Sequence, residues 1–174
     1  MTKAEYQLRL YWKRFVRYAD YLRFLIAGKE SPADIDKTLP TREKDLPTYL
    51  DKLDRYMKSR FYYKYDNVDF AKHPYTFYDD QFGDCDDFSL WSLYCLRKAY
   101  PELESNMMIV FRENEGHAVC IVKDKDGNYH HISNWGVVSA FNDKTALALN
   151  IFQDAISWWE MNYNLTILDY KFIK

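Results

Sequence analysis

The chain has 174 residues, 24 basic against 26 acidic side chains, and a formal net charge of −2. With 48% hydrophobic and 29% charged residues it is a folded single domain and not a disordered chain, and it lacks the concentrated basic surface that nucleic acid needs. Its anomaly is aromatic content, 16 Tyr, 11 Phe and 5 Trp, which points to an aromatic-rich interior or, as the sharper alternative, a groove or partner face.

In chain order, residues 3–27 carry a helical pattern. Leu8, Tyr11, Trp12, Phe15, Tyr18, Ala19, Leu22, Leu25 and Ile26 share one broad face, opposite Arg9, Lys13, Arg17 and Asp20, and Gly28 is a natural stop. The expectation is a helix packed on the domain by its apolar face with a solvated basic face. A basic amphipathic helix of this kind also suits a membrane surface or an inhibitory contact. Residues 29–46, broken by Pro32 and Pro40, read as a connector with room for one helical turn, completing an N-terminal helical extension over 1–45. A helix resumes at Pro47 and runs to about Ser59, with Tyr49, Leu50, Leu53 and Tyr56 on its face. Residues 60–82 mix aromatics with aspartates without a period and read as a long ordered loop.

The pattern changes at Gly83-Asp84-Cys85-Asp86-Asp87-Phe88. Gly83 marks a turn, Asp84 a cap, and Leu90, Leu93, Tyr94 and Arg97 follow at helical spacing up to Tyr100-Pro101. Met107–Phe111 is a short apolar run. His117–Val122 and Tyr129–Asn134 flank Asp126-Gly127, a strong hairpin signal, and residues 136–141 extend the sheet. A helix over about 143–162 and a strand over 165–173 complete the expected α+β chain.

Cys85 opens its helix, where unpaired N–H groups and the positive helix end stabilise a thiolate. A nearby imidazole lowers a thiol pKa and protonates the leaving group, and the imidazole needs an acceptor on its other nitrogen. Cys85, His117 and Asn134 supply these roles in order, and the hairpin brings the strand ends bearing His117 and Asn134 together. Oxyanion donors would be the Cys85 N–H and the side chain of Gln81, or less favourably Tyr78. Asp84, Asp86 and Asp87 oppose the thiolate if they face the sulfur. Cys95 and Cys120 lie in apolar patterns and read as core. No metal spacing involves His130 or His131, and Asp124, Asp126 and Asn128 read as a hairpin turn and not a calcium loop. No cofactor is expected.

Gly-Asp-Cys-Asp-Asp-Phe opening a helix, Gly116-His117-Ala118-Val119 opening a strand, and Ser133-Asn134-Trp135 closing a hairpin resemble the transglutaminase-like cysteine proteinases. These are bacterial and phage relatives of the papain-like and transglutaminase-like superfamily. The resemblance spans roughly residues 60–140. It implies a nucleophile helix packed on an antiparallel sheet that carries the His and the acid or amide, and acyl transfer at an amide in a protein or peptide substrate. It departs from the family at Ser133-Asn134, where bacterial relatives carry Asp-Asn; papain-like enzymes use an Asn followed by Trp, as Asn134-Trp135 would be.

Three cysteines cannot all pair internally, which points to a reducing compartment. The polar start Met1-Thr2-Lys3 is no signal peptide and no apolar run spans a bilayer, so a soluble cytoplasmic protein is expected. Two function classes follow. A cysteine protease or amidase would hold the Cys85 sulfur within hydrogen-bond reach of His117 at an open groove. A non-catalytic module, such as a phage structural component, would bury Cys85 or turn His117 away.

Overall fold

A computed structural model describes residues 15–16, 18–65, 71–112, 115–141 and 169–173. Among the described residues, five helices and a five-stranded antiparallel sheet make an α+β fold. Helix α1 is helical at 15–16 and 18–27. α2 (Pro32–Thr38) is capped by Ser31, which accepts the Asp34 N–H, and α3 (Leu46–Arg60) by Asp45, which accepts the Thr48 N–H; each carries a proline in its first turn. A two-residue strand β1 (Tyr62–Tyr63) leads to α4 (Pro74–Asp80), then β2 (Phe82–Gly83), which pairs in parallel with β1. α5 (Cys85–Ala99) follows directly.

Strands β3 (Ser105–Arg112), β4 (Glu115–Lys123), β5 (Tyr129–Ser133) and β6 (Gly136–Phe141) form a meander, and β7 (Asp169–Ile173) adds at the β3 edge, giving the order β6-β5-β4-β3-β7. The β4–β5 turn is closed by the Asp124 carboxylate, which accepts the N–H groups of Asp126 and Asn128 at 2.9 and 2.8 Å. Gly127 takes φ +91°, a left-handed conformation that a side chain would strain. The expected hairpin is therefore present, built by an Asx-type turn.

α5 packs on β4, β3 and β5. Strand alternation sends Met107, Ala118, Cys120, Val122 and Ile132 toward the helical layer, where they join one core with Tyr49, Leu53, Met57 and Trp91. Many of the aromatics among the described residues serve this layer. Phe61 lies 4.5 Å from the Phe77 ring and 5.5 Å from Trp91, and Phe77 meets Phe88 edge-on at 5.1 Å. Phe24 and Ile35 from the N-terminal region enter the same core.

Two local expectations are corrected. The stretch 60–82 is no loop throughout: it holds α4, which starts with Pro74 at its first position and His73 accepting the Tyr75 N–H. And α1 does not dock by its broad apolar face. It docks by Asp20, Tyr21 and Phe24, while Phe15, Tyr18, Leu22, Leu25 and Ile26 are exposed. The inward contacts are polar and aromatic, a pairing that apolar periodicity does not register. The helix expected over 143–162 lies outside the described residues, and the last strand is described as Asp169–Ile173.

Candidate active site

The α5 N-terminus is held by a carboxylate that folds back on it. Asp87 is buried and accepts the N–H of Lys72 at 2.6 Å and of Asp84 at 3.2 Å, while Asp84 accepts the Asp86 N–H at 3.3 Å and, completing a capping box, the backbone N–H of Asp87. Gly83 is required here: a Cβ would fall 2.1 Å from the Asp87 Oδ2. Burial outweighs the two amides and the Lys72 ammonium and pushes the Asp87 carboxyl up to about 7. Lys72 itself bonds the Phe82 carbonyl at 2.8 Å and pairs with Asp80 at 3.2 Å. Loop, turn and helix start are thus tied at one point.

Cys85 is the first helical residue and is half-buried. Burial pushes its thiol up to about 12; the Ala118 backbone amide and its own amide lie against the sulfur and favour the thiolate, while Asp84 and Asp86 oppose it. Tyr63, on the strand paired with Gly83, stands close enough that Cys85, Asp84 and Asp86 add to the burial that raises its phenol. Nothing in the sequence marks Tyr63 beyond its place in an aromatic run.

His117 stands on the other side of the strand. Ala118 and Cys120 face α5, so His117 and Val119 face away. The His117 ring stacks on Trp135, centroids 4.2 Å apart and planes 10° from parallel. Its Nε2 is buried with no hydrogen-bond partner among the described residues. Burial first, and then the neighbouring His131, depress its pKa to about 3. No hydrogen bond joins His117 to Cys85 among the described residues.

Asn134 lies in the turn after β5, and its buried Oδ1 likewise has no partner among the described residues. Ser133 is buried and its Oγ accepts the Trp135 N–H at 3.1 Å. Gln81 caps α4 in a left-handed conformation, φ 63°, with an exposed side chain and two strand residues between it and Asp84. Tyr78 is buried in the aromatic core, its hydroxyl bonded by Arg60 and Thr38. Cys95 and Cys120 are buried in that core, and His130 pairs with Asp124 at 2.9 Å. Among the described residues, the metal-type cluster is Asp84, Asp86 and Asp87, whose oxygens gather within 4.8 Å. Two of these carboxylates cap the helix.

The structure therefore brings Cys85 to the Ala118 amide, one residue past His117, and brings His117 to Trp135. It does not bring the Cys85 sulfur to the His117 ring.

No protein-family model matches the chain, and no curated protein matches it either. Among the described residues, no helix is long and apolar enough to cross a membrane.

Proposed function

We propose that the chain is a cysteine-nucleophile acyl-transfer enzyme acting on amide bonds, a small protease or amidase of the transglutaminase-like type. The observation that supports it is the seat of Cys85: first residue of a helix packed on an antiparallel sheet, capped on both sides, with two backbone amides at the sulfur. Donors placed there stabilise negative charge on sulfur and then on a tetrahedral oxyanion.

In this reading the Cys85 thiolate attacks the amide carbonyl carbon, forming a C–S bond. The oxyanion collapses, the C–N bond breaks, and the amine leaves with a proton from the His117 imidazolium. Water then attacks the thioester carbon and gives a proton to His117; the C–S bond breaks, releasing the carboxylic acid and restoring the Cys85 thiolate, and an amine in place of water yields transfer. Asn134 orients the ring. The cycle requires the His117 ring to leave Trp135 for the Cys85 side of β4, and since Gly116 and His117 both pair with β3 this takes a local rearrangement of the strand.

The stacking of His117 on Trp135 favours a second reading: a non-catalytic module that keeps the fold for interaction. Iodoacetamide alkylation followed against pH by mass spectrometry, on the native protein and on His117→Ala, separates the two. The enzyme labels at Cys85 well below the ordinary thiol pKa of about 8.5, and the mutant slows. A module labels Cys85 only in strong alkali, with no effect of the mutation, and that outcome would end the enzyme reading.

A further inference from the structure

Granting the acyl-transfer reading of Cys85, on which this inference rests, we propose that Tyr63 is a catalytic residue whose hydroxyl donates a hydrogen bond to the tetrahedral oxyanion formed there. The backbone places it. β1 and β2 run parallel with Tyr62 opposite Phe82 and Tyr63 opposite Gly83, closed by the Tyr62 N–H on the Gln81 carbonyl at 3.1 Å and the Lys64 N–H on the Gly83 carbonyl at 2.8 Å. The Tyr62 and Phe82 rings stack 5.6 Å apart, which fixes one face of this pair. Alternation sends Tyr63 to the other face, where Gly83 presents no side chain. That is the face of the α5 start, since a Cβ on Gly83 would meet the Asp87 carboxylate. Tyr63 therefore lies over a glycine, two residues short of the nucleophile, with nothing from its strand partner in between.

The chemistry of this corner calls for such a group. Asp84 and Asp86 oppose negative charge at Cys85, so an oxyanion formed there needs a donor that carries no charge to be neutralised by them. A phenol is such a donor. Burial and the neighbouring Cys85, Asp84 and Asp86 push the Tyr63 phenol up, which keeps its proton in place over the whole range in which a thiolate forms. Among the described residues no hydrogen bond occupies the Tyr63 hydroxyl, and the side chain is 49% exposed, open to an incoming carbonyl. The side-chain donors expected from the sequence are placed elsewhere. Gln81 is exposed at the end of α4, and the Tyr78 hydroxyl is already bonded by Arg60 and Thr38.

The step itself leaves Tyr63 unchanged. The Cys85 thiolate adds to the carbonyl carbon, the C–S bond forms, and the Tyr63 O–H holds the oxygen while it is negative. Collapse re-forms the C=O bond, expels the leaving group with its electron pair, and the phenol keeps its proton throughout.

Two reagents at Cys85 test this at a single pH, because one passes through an oxyanion and the other does not. p-Nitrophenyl acetate acylates the sulfur through a tetrahedral oxyanion, releasing p-nitrophenolate; iodoacetamide alkylates it by direct displacement of iodide. Peptide mass spectrometry assigns both labels to Cys85. The ratio of acylation to alkylation rate should be higher in the native protein than in the urea-unfolded chain. Tyr63→Phe should lower the native ratio by about 100-fold, the size of one lost oxyanion donor, while alkylation keeps its rate. Tyr63→Leu should give the same fall, and Gln81→Ala none. A native ratio above the unfolded one that both Tyr63 variants leave intact overturns the role of Tyr63 alone. Equal slowing of both reactions also overturns it, since Tyr63 would then act on the thiol or its access. A native ratio no higher than the unfolded one removes the oxyanion site, and the acyl-transfer reading falls with it.

Discussion

Strand β4 buries both of its faces, and they differ in the reactive group each one holds. Toward α5, Ala118, Cys120 and Val122 close a dry core, and the Cys85 sulfur sits at its end against the Ala118 amide. On the reverse face His117 lies against Trp135 and beside His131, buried and neutral. A hairpin that brings two backbones together says nothing about which side of the sheet their side chains take. Chain order can therefore assemble a Cys-His-Asn set of backbones and still leave the reacting groups on opposite faces.

The largest break in this comparison comes from emptying the α5-facing layer. Trp91 is fully buried among Phe61, Phe77 and Tyr78. Trp91→Ala should lower unfolding free energy by about 3–5 kcal/mol, read as a fall in the urea midpoint. A loss under about 1 kcal/mol would mean that the helix–sheet layer does not carry the fold.

Asp87 comes next, because it fixes the helix start that presents Cys85. Its folded pKa of about 7 stands above the ordinary 3.8, so the folded chain holds the proton more tightly than the unfolded chain. The stability this gives is complete below pH about 4 and lost as pH rises through about 7, on the order of 4 kcal/mol over the whole window. Urea titrations across that window should show the decline, and Asp87→Asn should flatten it. An unchanged slope in the variant would show that another group titrates there. Gly83→Ala, which drives a methyl against the Asp87 carboxylate, should cost about 2 kcal/mol and loosen the same corner, read in the same titrations.

Legibility in the sequence followed how local each signal is. Helix α5 with its Asp84 cap, helix α3 and the Asp126-Gly127 hairpin were all readable, since caps, periodicity and turn residues act within a few positions. Helix α4 is not legible because the aromatics of 60–82 serve three directions of one core and show no single period, and Pro74 alone does not announce a helix start. The outward face of α1 was misassigned because apolar periodicity identifies a stripe without naming what covers it. At the site, the seat of Cys85 was legible from Gly83 and Asp84. The side taken by His117 was not, because strand parity is set by which residues α5 buries, and that is a long-range fact. Tyr63 was hidden for the same reason: only the β1–β2 pairing places it beside Cys85.

The finest test of the two faces is Trp135→Ala. Trp135 is 40% exposed, so its loss should cost only about 1 kcal/mol. The consequence lies in His117, whose pKa is held near 3 because the ring is buried. A histidine with a depressed folded pKa contributes stability above its ordinary pKa of 6.5, and that contribution is lost as pH falls toward 3. Removing the indole opens the ring to water, so the His117 midpoint in a proton NMR titration should climb toward 6.5 and the acid loss of stability should shrink. Alkylation in the same variant then resolves where the freed ring goes. If it swings to the α5 side, Cys85 labels faster below pH about 8.5 than in the native protein, and the two faces become one site. If the midpoint climbs while Cys85 labels as before, the ring stays on the reverse face and the separation belongs to the sheet itself, not to the Trp135 stack.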